Sequence, residues 1–151
     1  MAGFTGTFEM KVDGKGRVSL PADFRDSLPE SQKRAVWLFP SPNGDALEGV
    51  DADYVEKLNR AMSEQFDAFS EEENEIAALL EEMRKSAIDD TGRIVLPSDF
   101  AEDAGIADKA VFVGRGPRFQ IRSPEVHARI KAERKGKRPL AGLRVPVGGG
   151  E

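Results

Sequence analysis

Apolar and polar residues alternate at the amino-terminal end of the chain. The even positions carry the apolar residues Phe4, Phe8, Met10 and Val12, while the odd positions between them are polar or charged. An alternation with a period of two predicts a β-strand that buries one face. Short apolar runs with the composition of strands recur at 35–39, 46–50, 110–113 and 118–122. The pattern therefore predicts strands in both halves of the chain.

Two amphipathic helices are predicted between these strand regions. Apolar residues recur at helical spacing at Val55, Leu58, Met62 and Phe66, and again at Ile76, Leu79, Leu80 and Met83. Ser70 and Glu73 form a capping box at the start of the second helix. Asp51 and Ser123 are typical residues for the start of other helices, and Pro124 suits a first helical position. We expect the apolar stripes to contact the core or another subunit.

One motif occurs twice in the chain. Residues 12–25 recur 76 positions later as residues 88–101, and seven of the 14 aligned positions are identical. The shared order is Asp-x-x-Gly-Arg-x-x-Leu-Pro-x-Asp-Phe. Each copy predicts a strand, a Gly-Arg turn, a strand, a short helix, two strands and a helix. Two copies of one module imply a pseudo-twofold molecule, which suits a symmetric partner such as duplex DNA or further copies of itself.

The Leu-Pro-x-Asp-Phe part of the motif is predicted to serve packing. Pro21 and Pro97 are expected to end a strand and to be the first residue of a short helix, with Phe24 and Phe100 pointing inward. Each copy alone is below the size that folds comfortably. We therefore expect the copies to share a core or to borrow one from a neighbouring chain.

Composition restricts the class of protein. The absence of cysteine excludes disulfides, zinc fingers and cysteine nucleophiles, and no apolar run or signal pattern points to a membrane. The net charge is −5, but residues 1–75 carry −8 and residues 76–151 carry +3. The overall charge is therefore compatible with DNA binding that is local and helped by several copies. We expect a soluble, cytoplasmic protein.

The Gly-Arg turns supply the candidate DNA-binding residues. Arg17 and Arg93 have the planar fork that suits bidentate contact with guanine, and Lys15 is a point charge for backbone phosphate. Lys11 and Arg25 are added as further DNA-binding candidates.

Other residues of the two turns are predicted to shape the loop. Gly14, Gly16 and Gly92 allow a sharp turn and a close approach to DNA, and Asp13 and Asp89 are expected to orient the loop rather than touch phosphate. The alternative is purely structural, because each aspartate could form an ion pair with the arginine four residues later, worth ~0–1 kcal/mol.

Catalysis is the third interpretation of the turns, and we reject it. Asp13, Asp89 and Asp90 have no catalytic companion, since the only histidine, His127, lies on a distant predicted helix. Residues 114–117 lack the Lys-Ser/Thr of a phosphate-binding loop and indicate a hairpin turn. We expect no enzyme activity, no small-molecule substrate, no cofactor and no metal site.

The quoted motifs identify a family resemblance. Phe4-x-Gly6, the Val-Asp-Gly-Lys-Gly-Arg-Val-Ser-Leu-Pro run at 12–21 and the Asp-Thr-Gly-Arg-Ile-Val-Leu-Pro run at 90–97 resemble the MraZ family. That family is a tandem-duplicated relative of the AbrB/SpoVT swapped-hairpin transcription factors. The resemblance implies an α+β fold with two swapped-hairpin modules in pseudo-twofold symmetry, joined by a helix pair. The expected division is a first module at 1–57, linking helices at 58–84, a second module at 85–130 and a basic flexible tail at 131–151.

The resemblance also implies a function. It predicts a nucleoid-associated bacterial regulator that binds double-stranded DNA at short G-containing repeats upstream of the division and cell-wall gene cluster. Its copies would assemble as a homo-oligomer, a closed ring. The family's Asp-x-x-x-Arg motif carries over to Asp13 and Arg17 and to Asp89 and Arg93. Thr91 stands where the first copy has Lys15, so we expect the copies to be unequal on DNA. The alternative is an oligomeric scaffold or protein-interaction module with the same fold.

Overall fold

The computed structural model describes residues 3–137, which contain eight β-strands and five α-helices. The strands are β1 Thr7–Lys11, β2 Arg17–Ser19, β3 Ala35–Pro40, β4 Ala46–Val50, β5 Arg84–Ala87, β6 Arg93–Val95, β7 Lys109–Arg115 and β8 Arg118–Arg122. The helices are α1 Ala22–Ser27, α2 Ala52–Glu64, α3 Glu71–Glu82, α4 Ser98–Asp103 and α5 Pro124–Glu133, with a short 3₁₀ helix at Glu30–Gln32. The α+β class is confirmed, and both copies follow the predicted order of elements.

The two copies exchange strands within one antiparallel sheet. The six-stranded sheet has the order β1-β7-β8-β4-β3-β5, and β2 pairs with β6 in a separate two-stranded ribbon. The edge strand of each copy therefore pairs with a strand of the other copy, β1 with β7 and β5 with β3. The counterparts in the two copies are β1 and β5, β3 and β7, and β4 and β8. Exchanging each strand for its counterpart gives the same order of strands, read from the other edge of the sheet. The strand order thus has the pseudo-twofold symmetry that the repeat predicts, with Glu48 opposite Gln120 at the centre.

One hydrophobic core serves both copies. The Phe24 ring is fully buried and lies 5.3 Å from the ring of Phe4, 5.5 Å from that of Phe8 and 5.4 Å from that of Phe119. The ring of Phe112 completes this cluster at 6.3 Å. Such edge and tilted aromatic pairs add about 0.5–1.5 kcal/mol each beyond their area burial. The alternative of a core borrowed from another chain is therefore not needed.

The predicted helix starts at Asp51, Ser70 and Ser123 are confirmed. Their side chains accept hydrogen bonds from the backbone amides three residues later, at 3.0, 3.2 and 3.0 Å. Such caps satisfy amide groups that have no partner within the helix. The Glu73 carboxylate accepts from the amide of Phe69, at 2.9 Å, and not from that of Ser70, which donates to the Asp67 carbonyl.

The prolines of the repeated motif precede their helices by one residue, whereas the sequence predicts them as the first helical residues. Pro21 and Pro97 occupy the N-cap position, and α1 and α4 begin at Ala22 and Ser98. Their ψ angles of 140° and 133° are extended, so the proline ring ends the preceding strand segment and the helix starts only after it. The prediction that the following phenylalanines point inward is confirmed, because Phe24 and Phe100 are buried.

The domain division stays a prediction. Its first boundary, at 57/58, lies inside α2, and its second, at 84/85, lies inside β5. The α2 and α3 helices contact each other and β3, with their apolar stripes half-buried. The basic tail predicted from residue 131 starts within α5, which continues to Glu133, and residues 138–151 lie outside the described part of the chain. None of the described helices is long and apolar enough to cross a membrane.

The shared core predicts a strong requirement for glycine at position 49. A Cβ atom there would lie 2.2 Å from Cζ of Phe119, which is fully buried against other aromatic rings. We expect Gly49→Ala to lower the free energy of unfolding by about 1–3 kcal/mol, the usual cost of overpacking. Urea denaturation checks this, with Gly14→Ala as the control because a Cβ there meets nothing within 4 Å. Equal destabilisation by both substitutions would contradict this account of the core.

Candidate nucleic-acid interface

The first Gly-Arg turn is organised by the Asp13 carboxylate. Its Oδ1 accepts hydrogen bonds from the backbone amides of Lys15, at 2.9 Å, and Arg17, at 2.8 Å. Its Oδ2 accepts from Nε of Arg17 at 2.7 Å. The backbone closes the turn through bonds from Gly16 N to Asp13 O, at 3.0 Å, and from Asp13 N to Arg17 O, at 2.9 Å. One carboxylate therefore fixes both the loop and the arginine side chain.

The second turn repeats this geometry. The Oδ1 of Asp89 accepts from the amides of Thr91 and Arg93, both at 2.9 Å, and Oδ2 accepts from Nε of Arg93 at 3.0 Å. The Thr91 hydroxyl adds a bond to Oδ1 at 2.9 Å. Backbone bonds from Gly92 N to Asp89 O and from Asp89 N to Arg93 O, both at 2.9 Å, close the turn. The two motif copies thus have the same local structure despite the Lys-to-Thr difference.

The expected orienting role of the aspartates agrees with their ionisation. Hydrogen bonds from the backbone and side chain of Arg17 lower the pKa of Asp13 from 3.8 to about 2. The backbone of Arg93 and both groups of Thr91 do the same for Asp89, whose pKa also falls to about 2. Each donor favours the charged carboxylate. Both aspartates are therefore ionised across the physiological range, so each arginine has a charged acceptor.

Only two of the three predicted loop glycines are required by the backbone. Gly16 and Gly92 have φ angles of 80° and 83°, a region that other residues enter at a cost of roughly 1–2 kcal/mol. Gly14 has no positive φ, and a Cβ atom added there would meet no other atom within 4 Å. The second copy has Asp90 at the position of Gly14. The loop therefore needs glycine only at the position before each arginine.

The two turns meet in the β2–β6 ribbon. Arg17 pairs with Val95, Val18 with Ile94 and Ser19 with Arg93, and the carbonyls of Gly16 and Gly92 accept from the amides of Leu96 and Leu20 at 2.8 and 2.9 Å. Directly paired residues point to the same face of a ribbon. Val18 and Ile94 are fully buried and attach one face to the core. The other face therefore presents both motif arginines, on a diagonal, to solvent.

The side chains of Arg17 and Arg93 keep free donors on this exposed face. Both are 36% exposed, and their Nε atoms are engaged by the aspartates. Their Nη atoms donate no hydrogen bond to any residue in the range 3–137. An arginine has four N–H groups on these atoms. The ion pair is therefore compatible with the predicted contact with DNA, because the aspartate binds Nε of the arginine and leaves its Nη atoms available.

The remaining predicted DNA-binding residues lie around this ribbon in different ways. Lys15 is exposed at the tip of the first turn, and Lys11 is exposed at the end of β1, opposite Lys109 on β7. Arg25 is half-buried and donates from Nε to Leu20 O at 3.2 Å. The structure thus brings Lys15 close to the motif arginine of its own turn and places Lys11 at the sheet edge that leads into that turn.

Arg25 belongs to the second turn in space although it follows the first in sequence. A Cβ on Gly92 would lie 2.7 Å from Nη1 of Arg25, so the guanidinium packs directly against that turn. The counterpart of Arg25 in the second copy is Ala101, and the counterpart of Lys15 is Thr91. Each turn consequently has one additional cation, Lys15 at the first and Arg25 at the second. This placement partly restores the balance of positive charge between the two turns, which differ in sequence at Lys15 and Thr91.

Val95 is a candidate contact residue that sequence reasoning missed. It lies directly opposite Arg17 on the outer face of the ribbon and is 49% exposed, one of two large apolar side chains exposed to solvent in the described part of the chain. The first copy has Ser19 at this motif position. A valine where an outward-facing strand position normally carries a polar residue was the signal available in the sequence.

Comparison with known proteins decides the family. The family model described as "MraZ protein, putative antitoxin-like" matches residues 3–38 and 79–138 of the chain. The chain belongs to the MraZ family. The matched segments contain both Asp–Arg turns and both strands of the ribbon, so the resemblance predicted from the repeated motif is confirmed.

Curated MraZ relatives align along nearly the whole chain. The transcriptional regulator MraZ of Parvibaculum lavamentivorans is 37% identical over 161 aligned residues, covering 99% of this chain and 99% of the relative. That of Rhodospirillum rubrum is 37% identical, covering 93% of this chain and 90% of its own length. That of Gluconobacter oxydans is 36% identical, covering 97% and 92%. The chain is therefore similar to these MraZ proteins across both motif copies and the helices between them.

The aspartate-centred turns of this MraZ chain predict an acid-sensitive contribution to stability. In the folded state the pKa values of Asp13 and Asp89 are lowered from 3.8 to about 2. Their contribution to the free energy of unfolding is therefore present above pH 3.8 and is lost as the pH falls through about 2. We expect Asp13→Asn combined with Asp89→Asn to flatten the fall in unfolding free energy over this interval. Urea unfolding followed by fluorescence of the single tryptophan, Trp37, measures it. Asp67→Asn is the control, and a double variant with the wild-type pH profile would refute the assignment.

Proposed function

We propose that the chain is a transcriptional regulator that binds double-stranded DNA through the outer face of the β2–β6 ribbon. The observation that carries this proposal is the pair of aspartate-held arginines, Arg17 and Arg93, on one exposed ribbon face. The MraZ relatives are named as transcriptional regulators, a name that denotes no enzyme class. DNA recognition needs donors that are held in place and free to reach base edges, and this face supplies them.

The ribbon has dimensions that suit the major groove. This groove admits a two-stranded β-ribbon and displays guanine O6 and N7, which a guanidinium fork contacts with two hydrogen bonds. Diagonal neighbours across two strands lie roughly 7–8 Å apart. Since successive base pairs rise about 3.4 Å, Arg17 and Arg93 would reach bases about two steps apart. The pseudo-twofold ribbon would then contact both strands of a short G-containing site.

Other groups around the ribbon would complete the contact. Lys15 at the tip of the first turn, Arg25 against the second turn and Lys11 at the sheet edge are positioned as phosphate-binding cations. Val95, opposite Arg17, would contact the methyl group of a thymine in the same groove. The cations would set the affinity, and the arginines and Val95 would set the preference for sequence.

Several copies acting together would overcome the acidic net charge. A chain with a charge of −5 gains little from long-range attraction to DNA, so we propose a closed ring of copies on tandem promoter repeats. The repeats would lie upstream of the division and cell-wall gene cluster, and the protein would act in the cytoplasm on the nucleoid. The second candidate is an oligomeric scaffold without specific DNA binding. One observation favours it: the Asp–Arg ion pairs already occupy one of the hydrogen-bond donors of each arginine without DNA.

Substitution of the two motif arginines distinguishes the DNA-binding regulator from the scaffold. We expect Arg17→Ala and Arg93→Ala each to weaken binding to a duplex from upstream of the protein's own gene by roughly ten- to hundredfold, because a bidentate guanine contact is worth about 1–3 kcal/mol. Fluorescence anisotropy at two salt concentrations measures this, and wild-type binding should fall with salt through counterion release. Arg60→Ala on α2 and a scrambled duplex are the controls. Wild-type affinity in both ribbon variants would support the scaffold.

The ring predicts a strong dependence on the number of repeats. A duplex with three or four repeats in register should bind far more tightly than a duplex with one repeat, by roughly tenfold or more, because linked contacts raise the effective concentration. Anisotropy on duplexes of equal length, with the other repeats scrambled, compares the two. Sedimentation of the free protein gives the number of copies. Equal affinity for one and four repeats would rule out the multivalent arrangement.

A further inference from the structure

A second cationic region lies on the opposite face of the six-stranded sheet from the ribbon. Leu47, Phe119 and Ile121 point into the shared core, whereas the alternate residues Glu48, Gln120 and Arg122 point to the other face. On that face a cavity of about 330 Å³ lies between the residue 41–45 loop, the β7–β8 hairpin and α5. A smaller cavity of about 210 Å³ adjoins it, sharing Arg122 and the end of α5.

Arginines dominate the lining of the larger cavity. Its five arginines are Arg115, Arg118, Arg122, Arg129 and Arg134, and its three acids are Asp45, Glu48 and Glu133. The acids belong to two of the arginines only: Glu48 accepts from Arg118 at 3.2 Å, while Asp45 and Glu133 both pair with Arg129. The lining therefore has a net charge of +2, and Arg115, Arg122 and Arg134 have no acidic partner within residues 3–137.

Arg122 is the buried centre of this region. It is 3% exposed, and its bonds run to neutral groups, from Nε to Gln120 Oε1 at 2.8 Å and between Nη1 and His127 Nδ1 at 3.1 Å. Burial, followed by repulsion from Arg115 and Arg134, lowers the pKa of Arg122. Burial and the nearby Arg122 and Lys131 lower the pKa of His127 and favour its neutral form. Glu48 and Asp45 attract Arg122 without touching it, and their attraction does not outweigh its burial and the repulsion from the two arginines. A buried cation without an acidic group in contact is an unfavourable arrangement unless an anion compensates it.

Ser41 provides an independent sign of a missing partner. The residue is 7% exposed and lines both the arginine-rich cavity and a neighbouring cavity beside Tyr54, and its Oγ has no hydrogen-bond partner within residues 3–137. Ser41 is the one residue with such an orphaned buried side-chain atom in that part of the chain. Leaving a buried hydroxyl unsatisfied costs free energy, and because the Oγ atom is itself enclosed, a rotation of the Ser41 side chain towards the cavity would bring it to a ligand oxygen.

We propose that this cavity binds a small phosphate-bearing anion, held by Arg115, Arg122 and Arg134 and by the hydroxyl of Ser41. A phosphate dianion matches the net charge of the lining, and its oxygens suit guanidinium forks and a hydroxyl donor. The volume falls within the range of small-ligand sites, about 300–1,000 Å³. A duplex seated on the ribbon lies across the sheet from this cavity. We therefore assign the phosphate to a free small molecule and not to the DNA backbone, an assignment that rests on the proposed function.

Pyrophosphate and inorganic phosphate are the probes that test this site. Isothermal titration calorimetry and phosphorus NMR on the full chain, without DNA, should show saturable binding of pyrophosphate in the millimolar range or tighter. Arg115 and Arg134 are exposed, so Arg115→Gln combined with Arg134→Gln should fold normally and lose at least roughly tenfold in affinity. Arg60→Gln, an exposed arginine on α2 outside the cavity, is the matched control and should bind like wild type.

Ser41→Ala supplies a second, opposite-signed readout. Without ligand it removes an unsatisfied buried hydroxyl, so its melting temperature should equal or exceed that of wild type, while its affinity for pyrophosphate should fall. Absence of saturable binding by wild type, or unchanged binding by the double arginine variant, overturns the proposal. An effect of the double arginine variant only on DNA affinity would also overturn it, because the arginines would then face a duplex. An effect only on oligomer mass would do the same, because they would then face a neighbouring copy. Since the probe is used without DNA, this test is independent of the proposed function.

Discussion

The pairing of β2 with β6 is the interaction on which the rest of the structure depends. Each strand has only three residues, and an isolated ribbon of that size is at best marginally stable in water. Burial of Val18 and Ile94 attaches the ribbon to the core, and the carbonyls of the two turn glycines extend the pairing to Leu20 and Leu96. Each Gly-Arg turn is therefore anchored by a strand of the other copy. Neither copy can build the exposed arginine face alone.

The same exchange of strands explains why the two copies differ without losing symmetry. The sheet edges β1 and β5 cross to strands of the opposite copy, so a residue near one turn can come from the other copy's sequence. Arg25 against Gly92 is the clearest case. Lys15 at one turn and Arg25 at the other carry similar charge to different positions, one at the loop tip and one beneath it. A backbone that is nearly symmetric thereby presents a surface that is not.

Local features of this fold could be predicted from the sequence because local physics determines them. Three local signals predicted the correct structure, and each involves only a few neighbouring residues. The alternation before Val12 predicted a strand, the capping residues Ser70 and Ser123 predicted helix starts, and the repeated Asp–Arg spacing predicted two turns. The helix start after Pro21 was displaced by one residue, because a proline with extended ψ serves equally well before the helix.

Features that depend on distant residues were not visible in the sequence. Strand order, the approach of Arg25 to the second turn and the buried Arg122 in the cavity all join segments that lie far apart along the chain. No periodicity or spacing encodes such contacts directly. The sequence predicts Arg17 and Arg93 as the central residues of the candidate site, and their role stays a prediction. The folded chain adds that both lie on one face of one ribbon.

Placement of the ribbon on DNA is the central claim, and site-directed cross-linking tests it most directly. The chain has no cysteine, so Ser19→Cys on the outer face of the ribbon introduces a single thiol beside Arg93. A promoter duplex with a thiol-reactive group in the major groove should cross-link rapidly to this variant. The matched variant Ser63→Cys, on α2, should not react above the level of a scrambled duplex. Equal or faster cross-linking at Ser63 would place the DNA elsewhere and contradict the account.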